Sequence, residues 1–475
     1  MKKINTLASA VSVILAFTAC SGIGLQKDEP VSSAKEEIES PKVWKASIKA
    51  TKSSDDAKTK ALNEVGGSLN AFWEAGDVVY ISDSNYEYGS LTAQSGGLNT
   101  TLSGTITRTM KVGKTYTLRY LQKGQDYLYL PNQKGTLEDI AKNHDMSEAT
   151  VTVKIIDGDN IVFNESEVQF ESKISITKFT FNTNIKNVTI FSSNLKTYVR
   201  PGYSANYGFV DVNTTEETST VYVAMSYLEA KKAVFLFMAK SADGTYFTAA
   251  KKVQLENGKY YKTNVNLQAM PDYVDLGIDR DGHSVCWATK NLGSTRPGGA
   301  GTYYAWAETS SKTTYSWDNY AYGSYSWITK YDPDRPDQGV VDGLASLLPE
   351  DDAATQSLGD GWRAPSLNDF NDLLNASNVE KILSYADGRW GYCFHSIIDG
   401  YASKFIFMPV YGYYKEASFT DGTYGYYWTN KIDQMSWTSS SFANVLKFSN
   451  SYYSSPETSR MERAYGLLIR PVYIQ

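Results

Sequence analysis

The 475-residue chain is poor in the residues on which most metal and thiol chemistry depends. It has three His and three Cys, too few for repeated metal-ligand motifs or a dense disulfide framework. Its one continuous apolar run lies at the extreme N-terminus, which excludes a polytopic membrane protein. The formal net charge is −6 and no basic patch stands out, so we expect no nucleic-acid partner.

Aromatic residues, by contrast, are abundant and unevenly distributed. Hydrophobic residues make up 42% of the chain, enough for packed cores, and 36 residues are Tyr. Residues 271–475 hold 21 of these Tyr, 8 of the 10 Trp, and 24 acidic against 16 basic residues. This change in composition predicts a separate domain over residues 271–475.

The N-terminal pattern predicts export and lipidation. Residues 1–20 combine Lys2 and Lys3 with an apolar stretch over residues 7–19 that ends at Cys20, as in a lipoprotein signal peptide. We expect Cys20 to carry the lipid that anchors the chain at the outer membrane surface, with residues 21–42 as a flexible tether. The alternative is an ordinary secretory signal that is cut after Ala19.

Residues 43–270 show the period-two pattern of strands. Trp44, Ala46, Ile48 and Ala50 alternate with polar residues, and turn sequences separate many similar short segments. One helix is predicted after Thr136, a plausible N-cap. These features favour two tandem β-sandwiches, over residues 43–160 and 161–270.

Four segments in this region resemble signatures of the fimbrillin-like proteins of Bacteroidetes. They are residues 51–52, residues 72–78, residues 131–137 together with 145–146, and residues 255–261. The resemblance implies a type V pilus subunit, or a close relative, with two transthyretin-like sandwich domains. It also implies assembly by β-strand addition: an outer-surface protease removes the first strand, and a strand of another pilus subunit fills the groove. On this resemblance, the removable strand would be residues 43–50.

Cleavage is the point at which the sequence departs from the family. Polymer-forming relatives are cut after Arg, but the first Arg here is Arg108. Cleavage near the first strand would have to use Lys, which makes polymerisation an open question. The candidate positions are Lys45, Lys49, Lys52, Lys58 and Lys60.

Residues 271–475 resemble the FISUMP-type domain of Bacteroidetes surface proteins, which is related to C-type lectins and formylglycine-generating enzymes. The matching segments are residues 274–277, 286–293, 301–309, 348–354, 361–366 and 470–472. The resemblance implies an α+β, C-type-lectin-like domain. The sequence itself predicts a helix capped by Ser366, and it predicts that residues 273–277 pair with residues 467–473 if the two ends of the domain meet.

Aromatic residues of the loops are the candidate binding groups of this domain, because aromatic rings stack on sugars and adaptable Tyr-Gly-Ser loops are typical of recognition surfaces. The alternative is that the rings are core residues. The candidates are Trp317, Tyr320, Tyr322, Tyr325, Trp327, Tyr413, Tyr414, Tyr426 and Trp437.

Metal, disulfide and catalytic roles have less support. Asp332, Asp334 and Asp337 offer three carboxylates on one loop, either for calcium or simply as solvated acids. Cys286 and Cys393 form a disulfide or remain buried thiols. No close Cys pair, Gly-x-Ser-x-Gly or phosphate loop is present, so we expect no enzyme and no other cofactor.

Two functions from different classes follow. The first is a fimbrial tip or accessory subunit whose C-terminal domain adheres to a host or microbial glycan or protein. The alternative is a non-polymerising outer-membrane lipoprotein that binds a glycan or protein. An enzyme of the formylglycine-generating type is the third and least supported hypothesis.

Overall fold

The computed structural model describes residues 42–52, 63–65, 68–121, 127–199, 207–229, 232–420, 422–434 and 440–475. Strands dominate these residues, so the predicted mainly β fold class is confirmed. Among the described residues, no helix has the length and hydrophobicity that a membrane span requires. Cys20, Lys58, Lys60 and Trp437 lie outside the described residues.

The first part of the chain builds an eight-stranded sheet from segments with alternating buried and exposed side chains. The strands of this part are β1 (Trp44–Lys52), β2 (Asn63–Val65), β3 (Ser68–Asn70), β4 (Val78–Ser82), β5 (Glu87–Ala93), β6 (Asn99–Ile106), β7 (Thr115–Leu121), β8 (Leu128–Tyr129), β9 (Met146–Asp157), β10 (Asn160–Phe163) and β11 (Glu167–Ser172). The order of the strands in the sheet is β10-β1-β11-β9-β7-β4-β5-β6, while β2 and β3 form a separate hairpin.

Strand β1 closes this sheet on itself. It runs antiparallel to β6, with Trp44 opposite Ile106, and parallel to β10 and then β11 on its other edge. Its alternate residues Trp44, Ala46, Ile48 and Ala50 are buried in the first core. The predicted strand is therefore confirmed, and both of its edges are paired.

The second part forms a six-stranded sheet with the path β14-β12-β15-β16-β18, and β17 pairs with β12 in parallel. The first sandwich is predicted to end at residue 160, which is the first residue of β10. The first sheet continues to Ser172 and therefore extends past the predicted boundary. The strands are β12 (Ser175–Phe191), β13 (Tyr198–Val199), β14 (Phe209–Met225), β15 (Lys232–Lys240), β16 (Tyr246–Gln254), β17 (Tyr260–Val265) and β18 (Gln268–Ala269).

A segment of the first part crosses to the second core. Helix α1 (Leu137–Asn143) starts where predicted, because the Thr136 hydroxyl accepts a hydrogen bond from the Asp139 N–H at 3.1 Å. Ile140 of this helix is buried among side chains of the second sheet. The Gln133 side chain holds the crossing in place through two-way hydrogen bonds with the Ala224 backbone at 2.7 and 2.8 Å.

The last part consists of several small sheets, two short α-helices, α2 (Ala353–Leu358) and α3 (Leu367–Leu374), and the 3-10 helices Trp317–Asn319 and Pro349–Asp351. The larger sheets have the orders β19-β20-β32-β23, β24-β25-β26 and β29-β30-β31. The strands are β19 (Tyr273–Arg280), β20 (His283–Ala288), β21 (Gly323–Ser324), β22 (Trp327–Ile328), β23 (Trp362–Arg363), β24 (Val379–Ala386), β25 (Arg389–Ser396), β26 (Phe405–Pro409), β27 (Tyr413–Lys415), β28 (Ser418–Thr420), β29 (Tyr424–Ile432), β30 (Phe442–Ser449), β31 (Glu457–Glu462) and β32 (Val472–Ile474).

Of the two local predictions for this part, one is confirmed and one is wrong. Ser366 caps α3 in a capping box with Asp369, as predicted. The predicted direct pairing of residues 273–277 with residues 467–473 does not form, because β20 lies between β19 and β32. The Tyr273 and Tyr473 rings still stack, with centroids 4.9 Å apart.

The second and last parts share an apolar contact. Phe191, Phe209 and Leu236 of the second sheet pack against Phe405 and Phe407 of β26. The last part also has clusters of its own, built around Trp287 and Trp306. The sheet β24-β25-β26 therefore covers one face of the second sheet.

Candidate functional site

The aromatic loop predicted from the sequence brings four of its five rings together edge to face. The Trp317 ring contacts the Tyr320 ring at 5.2 Å and the Tyr325 ring at 5.7 Å, and the Tyr320 ring contacts Tyr322 at 5.9 Å. Trp327 pairs with Ser324 in the β21–β22 hairpin, beside Tyr325 in the turn. Such edge-to-face contacts hold rings in fixed orientations.

Tyr320 and Tyr322 form the base of this loop rather than its surface. Tyr320 is 6% exposed, and its hydroxyl donates to the Trp306 carbonyl at 2.9 Å. The Tyr322 hydroxyl donates to the Asp351 carboxylate at 2.6 Å. The prediction that Tyr320 contacts a ligand is corrected, because its ring is covered by protein.

Asp351 and Arg463 hold the base of the loop in place through hydrogen bonds to its side chains and backbone. Asp351 accepts hydrogen bonds from Tyr322, Lys330 and Tyr331. Burial raises the pKa of this carboxyl, but these three donors and the Lys330 charge outweigh burial and lower it below 3.8.

The Arg463 side chain is fully buried. It donates to the Tyr320 hydroxyl at 2.9 Å and to the carbonyls of Ser440 and Lys330, both at 3.0 Å. Sequence reasoning missed Arg463, whose partners are distant in the chain.

The rings that remain accessible define a surface that we call the aromatic patch: Trp317, Tyr325, Trp327 and Phe442. Tyr325 is 50% and Trp327 49% exposed. The Tyr325 ring contacts Phe442 at 6.3 Å, and the Trp317 indole N–H donates to Glu462 at 2.7 Å. The patch therefore presents ring surface to solvent on a fixed support.

The second group of predicted candidates lies in packed surroundings. Tyr413 stacks on Tyr465 with centroids 5.6 Å apart and an interplanar angle of 15°, and its edge contacts Tyr426 at 5.4 Å. Tyr414 contacts the Tyr303 ring at 4.9 Å. All three residues are half-buried, and their rings contact other rings of the last part of the chain.

The three loop carboxylates do not converge. Asp332 is fully buried, and its carboxylate accepts from the Arg335 N–H at 3.1 Å and the Ser440 hydroxyl at 3.0 Å. Asp334 and Asp337 are exposed. No group of three or more His, Cys, Asp or Glu that could hold a metal ion occurs in the described part of the chain. The residues named for calcium therefore do not form a common site.

The two cysteines of the last part are free, buried thiols, so the predicted disulfide alternative is not borne out. Cys286 lies in β20, with its sulfur 3.6 Å from Gln475 Oε1. Cys393 lies in β25, in the apolar contact with the second sheet. The two thiols lie in strands of different sheets.

One of the predicted cleavage positions in strand β1, Lys52, is buried in the structure. Lys45 and Lys49 point outward and are exposed, but the Lys52 side chain is fully buried. Its ammonium group lies 4.2 Å from the Trp73 ring centroid, 4.1 Å from the Tyr120 ring centroid and 3.9 Å from Asp77 Oδ2. A protease cannot reach this side chain in the folded chain.

Comparison with known proteins gives only distant structural similarity. No family model matches the chain, and no curated protein matches it. A candidate cell adhesion protein from Bacteroides ovatus ATCC 8483 aligns at 13% identity and TM-score 0.28, covering 48% of this chain and 95% of that one. A second, from Bacteroides eggerthii DSM 20697, aligns at 11% identity and TM-score 0.27, covering 47% and 85%.

The shaft pilin SpaA from Lactobacillus rhamnosus GG aligns at 10% identity and TM-score 0.19, covering 48% of this chain and 99% of that one. Similarity at this level assigns no family and no function.

Proposed function

We propose that the chain is a surface adhesion lipoprotein of fimbrial type, a tip or accessory subunit that binds a glycan or protein partner through the aromatic patch. The observation that carries this proposal is the exposure of Tyr325 and Trp327 on a loop whose base is fixed by Arg463 and Asp351. Large, rigid aromatic side chains give contact area at low entropic cost. Such a surface suits binding rather than catalysis.

The location and lipid anchor rest on the N-terminal sequence, with Cys20 as the acylated residue and the outer membrane as the site. The subunit role rests on the fimbrillin-like signatures and on the position of β1. This strand pairs on both edges, so its removal would leave the edges of β6 and β11 open to a strand from another subunit.

Adhesion through the patch is tested with the full chain in detergent, displayed on beads and applied to an array of extended glycans and matrix proteins. We expect Tyr325→Ala and Trp327→Ala each to weaken retention about tenfold, the loss typical of a central aromatic contact. Tyr453→Ala is the matched control, because Tyr453 is 90% exposed and lies outside the patch. Equal retention of all three variants would remove the patch from consideration.

The subunit role is tested by sequencing the N-terminus of the protein shed from or retained on cells. A start between residues 45 and 60 supports strand exchange. Retained acylated Cys20 in every copy favours the second candidate, a non-polymerising lipoprotein, which the burial of Lys52 also favours because it closes one cleavage position.

A further inference from the structure

A polar cleft lies between the second sheet and the hairpin formed by β24 and β25. Its volume is about 540 Å³, and it is lined by residues of β12, β14 and β15 on one side and by the Asp387–Gly388 turn on the other. Small-molecule sites in proteins have volumes of about 300–1,000 Å³. The cleft is therefore large enough for a small ligand and is distant in sequence from the aromatic patch.

One wall of the cleft carries a row of connected polar side chains. The Asn187 amide donates to Asn213 Oδ1 at 2.6 Å, and the Asn213 amide donates to Asp211 Oδ2 at 2.8 Å. Asn187 and Asn213 are directly opposite in the β12–β14 pairing, which fixes their spacing. The row presents amide and carboxylate groups in fixed positions.

Asp211 is the carboxylate at the end of this row. It accepts two hydrogen bonds from neutral groups, the Asn132 N–H at 2.9 Å and the Asn213 amide. Burial raises its pKa, against the effect of these donors. A carboxylate can accept about four hydrogen bonds. Asp211 therefore has acceptor capacity left for hydroxyl groups in the cleft.

The opposite wall is held in place by Asp387. Its carboxylate accepts from the Tyr246 hydroxyl at 2.7 Å and the Gly298 N–H at 2.9 Å, and it pairs with Arg296 at 3.5 Å. Lys240 also lines the cleft, with its ammonium group 5.1 Å from the Tyr246 ring centroid. The Asp211 and Asp387 carboxylates are balanced by the Arg296 and Lys240 cations, so the lining of the cleft has no net charge.

Aromatic rings complete the lining. Tyr129, Tyr246 and Tyr385 face the cleft, and Tyr385 is 36% exposed. Ring faces pack on the C–H surface of a pyranose, while amides and carboxylates satisfy its hydroxyls. A phosphate or nucleotide would require a net positive site, and an apolar ligand would leave the remaining acceptor capacity of the Asp211 carboxylate unused.

We propose that this cleft binds a neutral sugar, through Asp211, Asn187 and Asn213 on one wall and the Tyr385 ring on the other. This site does not depend on the proposed role of the aromatic patch, because it shares no residue with it. A small sugar residue enters the cleft, whereas the patch is an open surface for a large partner.

The test is isothermal titration calorimetry of the full chain with methyl glycosides of glucose, galactose and mannose, and with the methyl glycoside of sialic acid. We expect one neutral glycoside to bind, and Asp211→Asn and Tyr385→Ala each to weaken it at least tenfold. Tyr385→Ala removes a partly exposed ring, and thermal unfolding of both variants shows whether the fold is retained. Trp327→Ala, outside the cleft, is expected to leave the affinity within twofold.

Three results would overturn the inference. The first is that none of the neutral glycosides binds, and the second is that only the sialoside does. The third is that binding of a neutral glycoside survives both cleft variants and is lost in Trp327→Ala. That last result would support the patch and reject the cleft, so the two proposals fail separately.

Discussion

The ammonium group of Lys52 lies 4.2 Å from the centre of the Trp73 ring, inside the core of the first sheet. Tyr120 covers it on another side, and Asp77 supplies the opposite charge. A buried cation between two aromatic rings and a carboxylate is stabilised by all three. The end of strand β1 is thereby fastened to the core at the position where cleavage by a Lys-directed protease would otherwise be expected.

Replacing Lys52 by Met should loosen β1. The substitution leaves the buried Asp77 carboxylate without this cation, which we expect to lower the free energy of unfolding of the first sheet by about 3 kcal/mol. Hydrogen exchange of the β1 and β6 amides, read by mass spectrometry, measures the change. Lys49→Met is the matched control on the exposed face of the same strand and should shift the free energy by less than about 0.5 kcal/mol. Equal protection in both variants would contradict the fastening role.

Asp351 should make the aromatic loop sensitive to acid. Its pKa is lowered in the folded chain, so its ionised form adds stability above its ordinary value of 3.8, and this contribution is lost as pH falls through the folded pKa. Asp351→Asn should therefore reduce the unfolding temperature by a constant amount between pH 8 and 5. The difference from the wild type should shrink below pH 4. A difference that stays constant down to pH 2.5 would show that the charge of Asp351 contributes nothing.

Replacing Arg463 by Lys should lower the stability of the protein, although the positive charge is kept. Lys keeps the charge but cannot donate at once to the Tyr320 hydroxyl and to two backbone carbonyls with a planar fork. We expect Arg463→Lys to cost about 3 kcal/mol through buried groups left without a donor. Near-ultraviolet circular dichroism and thermal unfolding follow the loss. Arg460→Lys is the control, because the Arg460 side chain is 41% exposed and should cost less than about 1 kcal/mol. Comparable losses in the two variants would rule out the bracing role of Arg463.

Local signals in the sequence predicted the elements that depend on local physics. Thr136 and Ser366 cap their helices as expected, because a cap involves residues three positions apart. The period-two pattern predicted β1, and the same period places Lys52 on the buried face with Trp44 and Ile48. The burial of Lys52 was therefore readable from the sequence.

The parts that could not be predicted depend on pairings between distant segments. Arg463 meets Tyr320 and Lys330 across more than a hundred positions, and no periodicity marks that meeting. The polar row of Asn187 and Asn213 exists only because β12 and β14 pair in one register. Likewise, the order β19-β20-β32 was missed because residue pattern does not specify which strand lies between two others.

The two buried cysteines should be unreactive in the folded chain. Burial, with the charges of Asp275 and Asp279, raises the pKa of Cys286 to about 11, and burial raises the pKa of Cys393 well above its ordinary value. Because the thiolate is the reactive form, N-ethylmaleimide at pH 7 should label neither residue in the native protein and both in guanidinium chloride. Peptide mapping by mass spectrometry measures each site. A cross-linked peptide joining Cys286 to Cys393, with no labelling in denaturant until reductant is added, would show that the two thiols pair after all. In that case the two sulfur atoms would have to lie within bonding distance, whereas both thiols are free in the structure.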